Sequence, residues 1–207
     1  MKQNINNKAL LLIEFQHEWL HEEGKLYPLM TDKKQFLASI ECASKVITAV
    51  RSSAMPVIHS GLSFQPNYPE LGHAKCGLRS AIPAHQTFLS ASDGSQFVEP
   101  FVPMSNEFVV NGRVGGSAFA GSNLDAYLRN NNIKTIYLMG YALHVCVEST
   151  LRAAHDLGYE VFLIEDATAA FTDGQKQHVL NDVVHHFGER ITANQFINTI
   201  NQAGEVK

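Results

Sequence analysis

Short apolar runs alternate with stretches of helical periodicity along the whole chain, and this alternation leaves few folds open to it. The runs are Ala9 to Phe15, Pro56 to Ser60, Glu107 to Val110, Thr135 to Met139, Glu160 to Ile164 and a weak last one at Arg190 to Thr192. Helical patterns stand at Lys33 to Ser53, Ser122 to Asn130, Val145 to Leu157, Gly174 to Phe187 and Ala193 to Ile200. In the first of these, Phe36, Ile40, Ala43, Ile47 and Val50 keep one apolar stripe. Strands covered on both faces read as continuous apolar runs, and helices that carry the chain back between them leave neighbouring strands parallel. The expected architecture is an α/β three-layer sandwich, a six-stranded, mostly parallel sheet in the order 3-2-1-4-5-6 with helices on both faces. The 207 residues, 45% of them apolar, suffice for a single domain over Met1 to Lys207, and no repeat or linker divides it. Residues 61–103 hold five prolines and no steady period, which predicts a long excursion over the sheet edge of the kind that carries substrate contacts.

Charge and cysteine content narrow the function. A net charge of -4 without a Lys/Arg cluster gives no electrostatic footprint for nucleic acid or an anionic membrane, so a small molecule is the expected partner. Three scattered cysteines, Cys42, Cys76 and Cys146, form neither a disulfide framework nor a CxxC motif and suit a reducing cytoplasm. The apolar stretch near the N-terminus ends at Glu14, too short for a leader or a membrane span. The cluster Gly112, Gly115, Gly116 and Gly121 fits neither GxGxxG nor a Walker pattern, and its glycines permit a tight loop. No cofactor is expected. His185 and His186 are adjacent on a predicted helix and should point to different sides, a poor arrangement for one ion.

In an open parallel sheet the functional groups belong at the carboxyl ends of strands, where strand order reverses. Glu14 ends the first run, Arg113 follows the third and Cys146 follows the fourth. With strands one and four as neighbours, a carboxylate, a fixed cation and a thiol converge on one crevice. Cys146 falls in the first turn of a helix, where unpaired N–H groups and the helix dipole favour a thiolate. A lone cysteine is ordinarily a buried apolar residue; the two other groups shift the reading to nucleophilic chemistry, with the carboxylate accepting the thiol proton. Gln16 and Trp19, which follow Glu14, and Phe119, in the loop after Arg113, are candidates for a substrate wall, with core packing or capping as the alternative. His144, two residues before the thiol, is a candidate substrate donor or proton shuttle, or else a solvent-exposed residue.

Four segments, ALLLIEFQHEW, GRVGGSAFAGSNLDAYLR, GYALHVCVESTLRAAHDLGYEV and EDATAAF with its Asp166, occur in the order and spacing of the isochorismatase-like cysteine hydrolases, which this chain resembles over nearly its whole length. The resemblance implies hydrolysis of a small amide, carbamoyl or related C–N bond through a thioester, without a cofactor, by Glu14, Arg113 and Cys146. It places the oxyanion hole at the backbone N–H groups of Ala142 and Cys146, with a cis peptide at Tyr141-Ala142. It also implies a homo-oligomer, a dimer or tetramer. Metal-binding members carry an Asp and paired His after the second strand; here His59-Ser60-Gly61-Leu62-Ser63-Phe64 offers no such set, so no metal is expected.

The chain departs from the family's pattern where the chemistry is done. Glu14 and Arg113 stand where the family has Asp and Lys, Leu143 replaces a common Thr, and Tyr141 is bulkier than the usual aliphatic residue. Glu14 still accepts a proton, one methylene further out, whereas Arg113 holds its charge on a planar fork suited to clamping carboxylates. A working hydrolase and a non-catalytic binding protein with a static Glu14 to Arg113 salt bridge are both compatible with these residues. Vinyl-ether hydrolysis of isochorismate, which needs no thiol, is the third and least favoured reading.

Overall fold

In the computed structural model, which describes residues 7–204, six strands form one sheet in the order β3-β2-β1-β4-β5-β6. Residues 1–6 and 205–207, and with them the first part of the N-terminal stretch, lie outside the described residues. The strands are β1 Lys8–Ile13, β2 Val57–Ser60, β3 Phe108–Val109, β4 Thr135–Gly140, β5 Glu160–Thr168 and β6 Glu189–Ile191. Every neighbouring pair is parallel, as the run-and-helix alternation requires. The helices are α1 His17–Leu20, α2 Lys33–Arg51, α3 Leu78–His85, α4 Leu124–Asn130, α5 Glu148–Asp156, α6 Asp173–His178, α7 Val184–Phe187 and α8 Ala193–Gly204. Among the described residues, no helix is long and apolar enough to cross a membrane.

Successive side chains of a strand point to opposite faces, so the two central strands feed two cores. Leu10 and Leu12 of β1 with Tyr137 and Met139 of β4 pack against Phe36, Ala43 and Ile47 of α2 and Phe196 of α8. Ala9, Leu11 and Ile13 with Ile136 and Leu138 face Leu124 and Leu128 of α4 and Leu151 of α5. All of these side chains are essentially fully buried, and each contributes roughly 1.5–3 kcal/mol through burial of a Leu-sized group. Helix α2 starts where Asp32 caps it by accepting a hydrogen bond from Gln35 N–H at 3.1 Å.

The departures from the sequence reading have local causes. β1 ends at Ile13 because Glu14 takes a left-handed conformation (φ 56°), although its N–H still donates to Ser60 O at 2.9 Å. The helix expected from Gly174 starts one residue earlier, because Thr172 and Gln175 form a reciprocal capping box, and a π-turn at Val179–Val183 separates α6 from α7. Within residues 61–103 lies α3, which periodicity could not reveal: of its eight residues only Ile82 is buried, and it contains Pro83. This excursion is fastened to the sheet by Gln16, which donates to Leu62 O (2.7 Å) and Ser95 O (2.6 Å) and accepts from Leu62 N–H (2.8 Å).

Gly140, the last residue of β4, has φ 129°, and a β-carbon there would stand 2.1 Å from Ile13 O. Both the conformation and the contact demand glycine. Gly140→Ala is expected to destabilise the protein by at least about 2 kcal/mol, read as a lowered urea midpoint without a change in slope.

Candidate active site

The carboxyl ends of β1, β2 and β4 bring Glu14, Ser60 and Cys146 to one crevice, and the loop after β3 adds Arg113. Glu14 is 1% exposed and its two carboxylate oxygens have separate partners: Oε1 accepts from Arg113 Nη2 at 2.5 Å and Oε2 accepts from Trp19 Nε1 at 2.8 Å. An ionised carboxylate offers about four lone-pair sites, so acceptor capacity remains. Arg113 is buried and uses its whole fork: Nε donates to Gly115 O (3.0 Å), Nη2 also to Gly116 O (2.7 Å), and Nη1 to Ser60 O (3.3 Å) and Oγ (3.4 Å). The three donors of a lysine could not serve these acceptors, so Arg113 is a fixed cation that locks the Gly115-Gly116 turn to the ends of β1 and β2.

Cys146 lies in a π-turn, Leu143–Val147, that opens α5; the turn is marked by the bond from Val147 N–H to Ala142 O at 3.3 Å. The peptide Tyr141-Ala142 before it is cis. Leu143 N–H donates to Ala169 O (2.8 Å), while Ala142 N–H donates to no other described residue. Thr150, one turn on from Cys146, donates to Cys146 O (2.7 Å) and accepts from Ala118 N–H (2.9 Å), which ties the helix after Cys146 to the Arg113 loop.

The Cys146 thiol is buried close enough to Glu14 and Arg113 for both charges to act on its proton. Burial, and next the charge of Glu14, push its pKa well above the ordinary 9.0, with Arg113 opposing them. This direction is opposite to the one the helix terminus suggested. A helix dipole contributes about 0.3–1 kcal/mol to a nearby charge, less than the several kcal/mol that removing an ion from water costs. The resting group is therefore a protonated thiol beside a proton acceptor.

The remaining candidates are placed as follows. Trp19 is buried and orients Glu14; its ring lies 6.1 Å from Phe171, which in turn meets the His144 ring edge-on at 4.4 Å. Gln16 has both ends of its carboxamide committed to the 61–103 excursion. Phe119 stacks at 5.8 Å on Tyr159, which precedes β5 at the far end of the sheet, and Leu143 is buried in the core. His144 is half-buried with its Nδ1 atom buried and unpartnered among the described residues; burial lowers its pKa. Asp166 accepts a hydrogen bond from Ala193 N–H at the start of α8. A cavity of about 370 Å³ adjoins the Arg113 loop, lined by Leu62, Phe64, Ile82, Val114, Gly115 and Gly116, with Arg79 also on its wall. Ser60, Thr150 and Phe171 were not singled out in the sequence. Ser60 could have been found by the strand-end rule and Thr150 by its i+4 spacing from Cys146, whereas nothing local marked Phe171.

Neither histidine group weighed for a metal gathers more ligands. His59 is buried and pairs through Nε2 with Glu107 at 2.8 Å. Burial pushes Glu107 up, but hydrogen bonds from Arg51, Met104 N–H and His59 outweigh it and hold the carboxyl at about 2. The His185 and His186 rings lie 4.0 Å apart, closer than opposite-facing neighbours would, because the short α7 lets adjacent side chains converge.

Comparisons with known proteins bear on the family and the fold. The chain is 28% identical over 210 residues, 96% of its length and 92% of the relative's, to the ureidoacrylate amidohydrolase RutB of Agrobacterium fabrum. It is 34% identical over 109 residues to an isochorismatase family protein of Bacillus subtilis, YwoC; the chain spans about half the length of this relative (57%) and of a second from the same organism, YrdC (46%). A cysteine hydrolase from Pseudomonas syringae pv. phaseolicola shares the fold with a TM-score of 0.83 at 23% identity, covering 98% of this chain and 96% of that one. The N-carbamoylsarcosine amidase of Thermoplasma acidophilum superposes with a TM-score of 0.70 at 25% identity, over 91% and 97%. Residues 8–195 match the Isochorismatase domain, and by that match over most of its length the chain belongs to the isochorismatase family.

Proposed function

We propose that this protein is a cofactor-free cysteine hydrolase of a small-molecule C–N bond, amide or carbamoyl, and that it works through a thioester on Cys146. The observation that carries the reading is a buried thiol beside a buried carboxylate that a buried guanidinium holds in place. The amidohydrolase and amidase named among its relatives support the bond type.

As Cys146 Sγ attacks the substrate carbonyl carbon, Glu14 takes the thiol proton, so the nucleophile is generated within the step. The carbonyl oxygen becomes an oxyanion that the N–H groups of Ala142 and Cys146 stabilise. One such donor typically contributes about 2.7–4 kcal/mol to the transition state. Collapse breaks the C–N bond, the departing amine takes the proton from Glu14, and the thioester remains. Water then attacks the thioester carbonyl, giving its proton to Glu14, and the acid departs as the thiol is restored. Arg113 stays charged throughout and prevents Glu14 from turning away. Trp19, Phe171 and His144 form an aromatic wall suited to a small planar substrate, and the unpartnered His144 Nδ1 is a polar atom that such a substrate would satisfy. The 370 Å³ cavity beside the Arg113 loop has the volume of a small-ligand site.

A binding-only protein is the second reading, favoured by one observation: every nitrogen of the Arg113 fork is already committed, as in a static ion pair. A panel of small amides and ureas assayed for ammonia release separates the two. The expected result is turnover that Cys146→Ala abolishes, with an acyl adduct on Cys146 seen by intact-mass spectrometry after a rapid acid quench. Ligand binding without turnover by the wild type would establish the binding-only reading.

Two quantitative expectations accompany this mechanism. Glu14→Gln keeps the shape but cannot accept the proton, so kcat should fall about 10²–10⁴-fold; Arg113→Lys should cost about 1–3 kcal/mol of stability, measured by urea denaturation, through the acceptors it leaves unserved. Because burial holds the proton on Cys146 and closes the thiol to solvent, iodoacetamide should label it only slowly until the pH is raised, and after the exposed Cys76. Peptide mapping of the labelled protein across pH reads this directly, and fast labelling of Cys146 near pH 7 would contradict the protonated resting state.

A further inference from the structure

We propose that His17, His21 and Glu23 form a binding site for one divalent transition-metal ion of the zinc class, apart from the Cys146 crevice and independent of the hydrolase reading. Their ligand atoms all lie within 4.8 Å of one another, the group of three that the described residues offer a metal ion. His17 and His21 stand one helical turn apart, closed by the bond from His21 N–H to His17 O at 3.1 Å, so both imidazoles leave the same face of α1. Their rings are stacked 4.3 Å apart and 14° from parallel, so the two imidazoles are neighbours and one of them turns about its side-chain bonds before both lone pairs meet at one ion.

The distances are close to those a metal needs. Ligand bonds of about 2.0–2.1 Å in a tetrahedron place neighbouring ligands about 3.4 Å apart. Rotation of one ring out of the stack closes the remaining gap, which solvent permits since His21 and Glu23 are exposed and His17 half-exposed. The only hydrogen bond on these rings, from Glu23 N–H to His21 Nδ1, is long at 3.3 Å and exposed, and yields either to the ion or to the tautomer that frees Nε2. Two imidazoles and a carboxylate suit Zn²⁺, Co²⁺ or Ni²⁺, with water completing the shell.

The segment His17-Glu18-Trp19-Leu20-His21 has the H-E-x-x-H spacing in which two histidines hold zinc and the glutamate activates a metal-bound water. Here the glutamate is withdrawn from that task. Glu18 is 3% exposed, and its oxygens accept from Lys25 N–H (2.8 Å) and Phe88 N–H (3.3 Å), which anchors the 61–103 excursion. The site therefore holds a metal without a base beside it, and its effect is mechanical: it staples the turn that carries Trp19, whose indole orients Glu14.

Trp19 is the only tryptophan in the chain, so its fluorescence reports on this turn alone. Titrating Co²⁺ into EDTA-treated, desalted protein should quench that fluorescence saturably at one ion per chain, with recovery on adding EDTA. His21→Ala and Glu23→Ala, both exposed substitutions whose fold is checked by circular dichroism, should each weaken Co²⁺ binding by more than about tenfold. A His185→Ala/His186→Ala variant should bind like the wild type. No saturable quenching, an unchanged curve in His21→Ala, or loss of binding in the 185/186 variant instead would overturn the assignment.

Discussion

The buried pair of Glu14 and Arg113 governs the structure around it. Two ions taken out of water cost several kcal/mol each, and their attraction offsets this only where every remaining lone pair and proton has a partner. The surrounding chain supplies those partners: the indole of α1 on one carboxylate oxygen, the end of β2 and the Gly115-Gly116 turn on the guanidinium. The ends of β1 and β2, helix α1 and the Gly115-Gly116 turn are thereby fixed relative to one another. Removing one member of such a pair strands the other, at a cost of about 3–5 kcal/mol, so these residues answer for fold and site together.

The same pair decides how the thiol behaves. A cation alone beside Cys146 would favour a standing thiolate, but Glu14 lies between them electrostatically and burial excludes water, so the proton stays on sulfur. In the proposed mechanism such a site keeps its thiol quiet until a carbonyl arrives and the carboxylate takes the proton. The exchange of Lys for Arg relative to the family pattern fits this arrangement, because a guanidinium fork serves backbone acceptors in several directions while still holding one carboxylate oxygen. Thr150, bound to both Cys146 O and Ala118 N–H, carries the constraint into α5.

Much of α1 serves as scaffold. Gln16 and Glu18, polar and nearly fully buried, receive or give hydrogen bonds to backbone groups of the 61–103 excursion, and Trp19 faces the crevice. The histidines that flank Trp19 remain on the outside of the turn. Their position after β1 does not mark them; the informative signal is helical spacing, on a helix of only four residues.

The sequence by itself determined the sheet, because a buried parallel strand must be apolar at nearly every position and the runs of β1, β2, β4 and β5 carry that requirement, whereas the edge strands β3 and β6, part-buried or exposed, carry it weakly. It also determined which residues reach the crevice: Glu14 follows β1 and Cys146 lies in the turn after β4, its neighbour, so strand order and chain position suffice to bring them together. Only the tertiary structure decided what those groups do to one another. The direction of the thiol's pKa, the commitment of the Gln16 amide, the turn of Phe119 toward Tyr159 and the helix at Leu78–His85 depend on desolvation and on partners tens of residues away. Periodicity records which side of an element is apolar; it holds no record of which polar atoms meet once distant segments have excluded the water between them.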